Sequence, residues 1–246
     1  MHPITRVIGE KISWSLFFSL TSVLLAYLLS IPVGLYVASR NRSWVDRTNN
    51  TLIFILYSIP SFWLATILLM IFANPDVLPW FPASGVKPPE GYTSDASIFE
   101  KIGASIPYLV LPMICYTYSS YAFLTRTIRS SLIDNTESDY VRTAFAKGLP
   151  LHRVMTIHAF RNSLLPLITI FVNIFPLMLG GSLILESIFS IPGMGSETVN
   201  AIYNQNYPMI TAIFTITGFL TMVGYLCSDI LYAIADPRIR YEKPEI

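Results

Sequence analysis

Five long stretches of this chain carry no charged side chain: between Lys11 and Arg40, Arg47 and Asp76, Lys101 and Arg126, Arg161 and Glu186, and Glu197 and Asp229. Each is longer than the ~20 residues an α-helix needs to cross the hydrocarbon of a bilayer. Backbone groups left unpaired in lipid are costly, so the spanning structures available are helices and closed barrels. Barrel strands would alternate apolar and polar residues over ~10-residue segments, and no such alternation is present. The spacing predicts an all-α membrane protein with five transmembrane helices, at about 13–38, 51–73, 104–126, 164–186 and 209–235. Composition agrees: charged residues are 13% of the chain, where a soluble domain carries roughly 25%.

Lysine and arginine set the orientation. Arg40, Arg42 and Arg47 follow the first window. Arg126, Arg129, Arg142, Lys147, Arg153 and Arg161 lie in the link after the third, and Arg238, Arg240 and Lys243 in the tail. Twelve of the sixteen basic residues thus share one face, expected to be cytoplasmic together with the C-terminus. Five spans then put the N-terminus outside, and residues 1–11 do not have the apolar run of a signal peptide. Pro32, Pro60, Pro107, Pro112, Pro166 and Pro176 lie in or at the spans, so bent helices are expected, either as ordinary curvature or as the lining of a translocation path. Thr117, Tyr118, Ser119 and Ser120 suit packing or pore lining. Gly180 and Gly181 permit close helix approach.

The basic link, 127–163, holds the most distinctive segment. From Tyr140 to Pro166 it has Arg142, Lys147, Arg153 and Arg161, no acid, and a Gly-Leu-Pro break. Thr136 and Asp139 predict a capping box at a helix start. Tyr140, Val141, Ala144 and Phe145 fall on one helical face. Gly148 and Pro150 stop that helix, and a second runs from about Leu151 to Arg161. Two short amphipathic helices at a membrane surface either lie on headgroups or dock into a groove on a soluble partner.

The run DYVRTAFAKGLPLHRVMTIHAFRNSLLP resembles the cytosolic signature of binding-protein-dependent ABC transporter permeases, closest to the B-type permease of oligopeptide, dipeptide and nickel importers. SIPSFWLA (58–65), ESIFSIPGMG (186–195), NQNYPMI (204–210) and YAIADPRIR (232–240) agree with it. The family's Glu-Ala-Ala opening reads Arg142-Thr143-Ala144 in this chain, and the interval from Gly148 to Pro166 is longer than in sugar-type permeases. The resemblance implies a type I importer permease, a single transmembrane domain over 1–246, apparently lacking the first span usual in B-type subunits. It implies that the 127–163 segment is a coupling helix whose ATPase-facing residues are Tyr140, Val141, Arg142, Ala144, Lys147 and Gly148. The partners implied are two cytosolic ABC ATPase subunits, a second and distinct permease, an extracytoplasmic binding protein and membrane lipid, with no nucleic acid. The location implied is the inner (plasma) membrane. The cargo implied is short peptides, nickel complexes or related solutes.

The links 74–103 and 187–208 fall on the opposite face, where the resemblance places binding-protein docking. The first has Pro75, Pro79, Pro82, the Pro88-Pro89 pair and four acids. The second has neither lysine nor arginine. No phosphate-binding P-loop, catalytic or cofactor motif occurs, so ATP hydrolysis is expected from separate subunits. His2, His152 and His158, with Cys115 and Cys227, lack metal-ligand spacing. Glu186 and Asp229 are expected near span ends, within reach of water. The competing classes are a secondary carrier or channel with a lipid-surface helix, which predicts paired deep charges or an internal repeat, and a non-transporting scaffold.

Overall fold

A first helix, α1 (Ile4–Ser39), carries small residues four apart: Ser22, Ala26, Ser30, Gly34 and Ala38. Small side chains let helix backbones approach closely in a membrane. In the computed structural model, which describes residues 4–93, 95–161, 163, 167–171 and 181–235, this stripe is laid against α4 (Ile98–Thr136). A Cβ on Gly34 would fall 2.6 Å from Ile128 Cγ2. Phe18 stacks on Tyr116 at 5.5 Å between ring centres, so the two helices run in the same direction.

Between them the chain returns through α2 (Trp44–Ser58) and α3 (Ser61–Phe72), which meet at 95°. The expected span 51–73 is therefore a broken pair, not one rod. Ile59, preceding Pro60, is extended, as a residue before proline prefers to be, and Pro60 opens α3. The Ile59 carbonyl at the break accepts a 2.6 Å hydrogen bond from the Tyr118 hydroxyl, which satisfies a backbone group that lipid cannot. Pro32, Pro107 and Pro112, by contrast, sit inside continuous helices.

Ser97 and Glu100 form a reciprocal cap at the start of α4. The charge-free window ends near residue 126, but the helix runs on to Thr136, 39 residues in all. At 1.5 Å per residue it is about 58 Å long, longer than a bilayer is thick, and its last turns belong to the basic link. Arg129 on this extension pairs with Asp46 and donates to its Oδ2 at 2.8 Å. Asp46 also accepts from the Arg42 N–H and from Asn50. This clamps the α1–α2 turn to α4 and takes Arg129 out of the pool of free surface cations.

Beyond α4 come α5 (Asp139–Ala146), α6 (Leu151–Arg153) and its π-helical continuation Val154–Ala159. Then follow α7 (Leu183–Ile188), α8 (Met194–Tyr203) and α9 (Tyr207–Ala235). Pro166, Pro176, Gly180 and most of the expected span 164–186 lie outside the described residues. At its end, Gly181 and Ser182 are not helical, and Ser182 caps α7. Among the described residues, α1, α4 and Tyr207–Cys227 of α9 are long and apolar enough to span a membrane, or four spans if α2–α3 counts as one. The described secondary structure is entirely helical. One buried cluster joins α1, α4, α5 and the π-helical turn, and two others lie toward the opposite end around Phe18, Phe189, Met194 and Met209.

Candidate docking site at the basic end

The start of α5 is set by Ser138, not by the Thr136–Asp139 box that the sequence predicts. Because α4 continues to Thr136, that hydroxyl turns back to the Ile133 carbonyl at 2.7 Å. Ser138 instead accepts the Val141 and Arg142 N–H groups on its carbonyl. At the other end of α5, the Leu149 N–H bonds the Ala144 carbonyl and the Gly148 N–H bonds that of Phe145. This is the paired closure of a Schellman motif. Gly148 has φ +77°, and a Cβ there would meet nothing within 4 Å. Glycine is suited to this position by its backbone conformation rather than by crowding.

The stripe of four apolar residues expected on one face of α5 divides in two. Val141 and Ala144 are buried in the chain's own core with Leu124, Ile128, Val154 and Met155. Tyr140 and Phe145 are exposed, at 39% and 43%. A 100° advance per residue makes the stripe wide, and only its centre is covered, by α4 and the π-helical turn. The Tyr140 hydroxyl donates to Asn135 Oδ1 at 2.9 Å, and Asn135 Nδ2 donates in turn to Ser163. The ring is thus braced while its face stays open. Arg142, Lys147 and Gly148 are exposed, and Arg142 is held only by a loose 3.9 Å approach to Asp139.

Of the six residues singled out in the sequence, Val141 and Ala144 thus anchor the segment and Gly148 shapes its turn. Tyr140, Arg142 and Lys147 face outward. Residues outside those six complete the outer face: Phe145, Leu151 and Ile157 supply exposed apolar surface and Arg153 a further cation. Their alternation with basic residues across the Gly-Leu-Pro break is the signal that marks them. The result is a knob whose outer side mixes exposed apolar and basic side chains and whose inner side is packed into the core with α4.

The opposite end is organised around one buried carboxylate. Glu186, expected within reach of water, has an exposure of 0%. The hairpin α7–α8 folds back over it, so that Glu186 Oε2 accepts the Ser196 N–H at 2.9 Å in the first turn of α8. That turn presents free N–H groups and a partial positive charge, which favours an acceptor there. Glu186 Oε1 accepts from the Ser15 hydroxyl at 2.7 Å, and Ser15 Oγ accepts the Met194 N–H at 2.7 Å. The run ESIFSIPGMG is therefore a hairpin closed on its own first residue and pinned to α1. A Cβ on Gly193 would lie 2.6 Å from Ser15 Oγ and within the Glu186 carboxylate. The Gly85 N–H donates to the Phe189 carbonyl, which joins the link 74–97 to this hairpin. Trp80 on that link, Tyr203 at the end of α8 and Tyr207 at the start of α9 are exposed.

Residues 30–241 match the family described as "Binding-protein-dependent transport system inner membrane component". The oligopeptide transport system permease protein AppB of Bacillus subtilis is 40% identical over 239 residues, covering 97% of this chain and 73% of that protein. The oligopeptide transport system permease protein OppB of Escherichia coli K12 is 32% identical over 217 residues, covering 88% and 65%. Among solved structures, a chain of the inward-facing MetNI methionine ABC transporter superposes with a TM-score of 0.72 at 13% identity, covering 96% of this chain and 99% of that one. At that identity the likeness is one of fold.

Proposed function

We propose, on the premise that the chain belongs to the family of binding-protein-dependent transport system inner membrane components, that it forms part of the path by which short peptides or related solutes enter through an ATP-driven importer. The peptide class follows from the oligopeptide permeases to which the chain is similar along nearly its whole length. The observation that carries the mechanism is the knob on α5 and α6, exposed and basic outside but fixed to the core of the membrane helices inside.

Such a knob suits a groove on a soluble subunit. Two cytosolic ATPase subunits close on ATP and move the two coupling segments of this chain and a second, distinct permease. Tyr140, Phe145 and Leu151 fill the groove, and Arg142, Lys147 and Arg153 meet its acidic rim. Val141 and Ala144 pass the displacement to α4, and α4 crosses to the other end. The membrane helices then exchange between two arrangements, a rigid-body switch biased by nucleotide. The hairpin around Glu186 and the link 74–97 receive the cargo from an extracytoplasmic binding protein. The basic end, and with it the C-terminus, is cytoplasmic by the distribution of Lys and Arg.

The test is co-purification of tagged chain from its native membrane in mild detergent, beside a Phe145→Asp, Lys147→Glu variant. Both changes are on the exposed side, so the fold is left intact. The expected result is that ATPase subunits accompany the parent and are lost from the variant, while the second permease stays with both. ATPases retained by the variant would sink the docking assignment. A parent that comes down alone from several detergents would sink the importer reading.

A further inference from the structure

We infer that the groove between α2 and α4 at the basic end is a binding site for an anionic glycerophospholipid, with Arg126 holding the headgroup phosphate. The groove encloses about 830 Å³. Its lining changes character along its length. At one level lie Asn50, Arg126, Thr127 and Ser130, and one to two helical turns further along lie Phe54, Tyr57, Ala122 and Phe123. Because α2 and α4 are antiparallel, residues 50 and 130 share one level and 57 and 122 another, about 10 Å away at the helical rise. The site is thus polar at the basic end and apolar toward the middle of the membrane, the order of a phospholipid's own groups.

Arg126 is the cation that this groove offers to a headgroup, its side chain exposed at the polar level. Arg129, one turn away, is committed to Asp46. Among the described residues Arg126 makes no ion pair and no hydrogen bond, yet it sits where the chain leaves its apolar window. A guanidinium presents a planar fork of donors that matches phosphate oxygens. Basic pockets between membrane helices on the Lys- and Arg-rich side take anionic headgroups.

The apolar end is open in the direction a tail would take. Phe54, Tyr57 and Phe123 are 68%, 54% and 43% exposed, and the last two rings stack at 6.4 Å. Phe54 also lines a second cavity of about 500 Å³, formed with Ile59, Pro60, Phe62 and Trp63 by the bend between α2 and α3. The two cavities share this ring and make one track, from Arg126 past Tyr57 to the 95° break. An acyl chain covers that track without leaving a polar group unpaired. A soluble anion such as inorganic phosphate, or the carboxylate of a peptide, would satisfy Arg126 but leave the apolar half bare.

The experiment uses the complex extracted from its native membrane, with phosphatidylglycerol and phosphatidylcholine of matched acyl chains as probes and retained lipid counted by native mass spectrometry. The expected result is retention of phosphatidylglycerol over phosphatidylcholine, reduced about fivefold by Arg126→Gln, the scale of one basic residue acting on an anionic lipid, and largely restored by Arg126→Lys. Unchanged phosphatidylglycerol retention in Arg126→Gln overturns the site. If Arg126→Gln does not assemble, a phosphatidylglycerol with a photoreactive acyl chain is added to the parent. Cross-links within 54–63 support the site, and cross-links found only elsewhere overturn it. Displacement of the lipid by millimolar inorganic phosphate or by a soluble acidic peptide assigns the groove to a free anion or to cargo, and overturns the lipid reading.

Discussion

The α5–α6 knob at one end and the α7–α8 hairpin at the other are both pairs of short helices joined through a glycine-bearing turn, yet they are held in opposite ways. The knob keeps its polar groups outside and its anchors apolar, with Val141 and Ala144 buried and Arg142 and Lys147 exposed. The hairpin keeps its polar group inside, with Glu186 bonded to Ser15 and to the first turn of α8. Apolar anchoring is non-directional, so it holds the knob firmly without fixing what its outer face touches. A buried carboxylate is directional and is costly when a partner is missing, so it fixes one geometry. On the function proposed above, the first construction leaves the outer face of the knob available to a soluble subunit, and the second holds the hairpin to one shape.

The sharpest break of this contrast is Glu186→Ala. It leaves the Ser15 hydroxyl and the Ser196 N–H without their acceptor inside a closed hairpin. The expected loss is about 3 kcal/mol or more, seen as a large fall in thermal midpoint in detergent. A midpoint close to the parent's would mean the hairpin does not depend on its carboxylate. Next comes Gly193→Ala. Its backbone angle suits any residue, so the cost comes from the added methyl meeting Ser15 and Glu186, about 2 kcal/mol. If the two Glu186-site variants were combined, their effects should fall short of additive, because they disrupt one network.

At the knob, Val141→Ala removes two methyl groups from a side chain with no exposed surface and should cost about 1–2 kcal/mol. Proteolysis near Lys147 and Arg153 should quicken as the segment loosens. Gly148→Ala is smaller, about 1 kcal/mol, from the left-handed backbone alone. The two glycines thus separate crowding from conformation, and a Gly148→Ala as damaging as Gly193→Ala would refute that separation. Smallest for stability is Phe145→Ala, within about 0.5 kcal/mol on an exposed face. Its effect should appear instead as loss of ATPase subunits in co-purification. A variant that lost stability but kept its ATPases would reverse the roles of the inner and outer faces.

Much of this architecture is readable from residues alone. The charge-free windows place α1, α4 and α9, and the basic links place the knob at the end where the structure has it. The Gly-Leu-Pro break marks the turn at Gly148. Less is readable where the outcome depends on what a helix meets. The stripe from Tyr140 to Phe145 reads as one face, but contact with α4 and the π-helical turn covers only its centre. Arg129 reads as one more basic residue of the link, until Asp46, 83 positions earlier, comes within reach. Pro60 is one of six prolines in or at the expected spans, and of those that lie among the described residues only it coincides with a break.

What the sequence by itself determined is the medium, the helical class and the two-sidedness of the molecule. These follow from free energies that are local and additive: transfer of apolar runs into lipid, exclusion of charge from it, and glycine and proline at helix stops. What only the tertiary structure decided is the use of individual side chains: Glu186 as a buried keystone rather than a wetted end residue, Arg129 as a clamp and Arg126 exposed beside it, Val141 turned inward and Phe145 outward. Those depend on residues brought together from distant parts of the chain, 83 positions apart for Arg129 with Asp46 and 171 for Ser15 with Glu186. Burial and charge compensation belong to a pair, which neither partner's local sequence specifies.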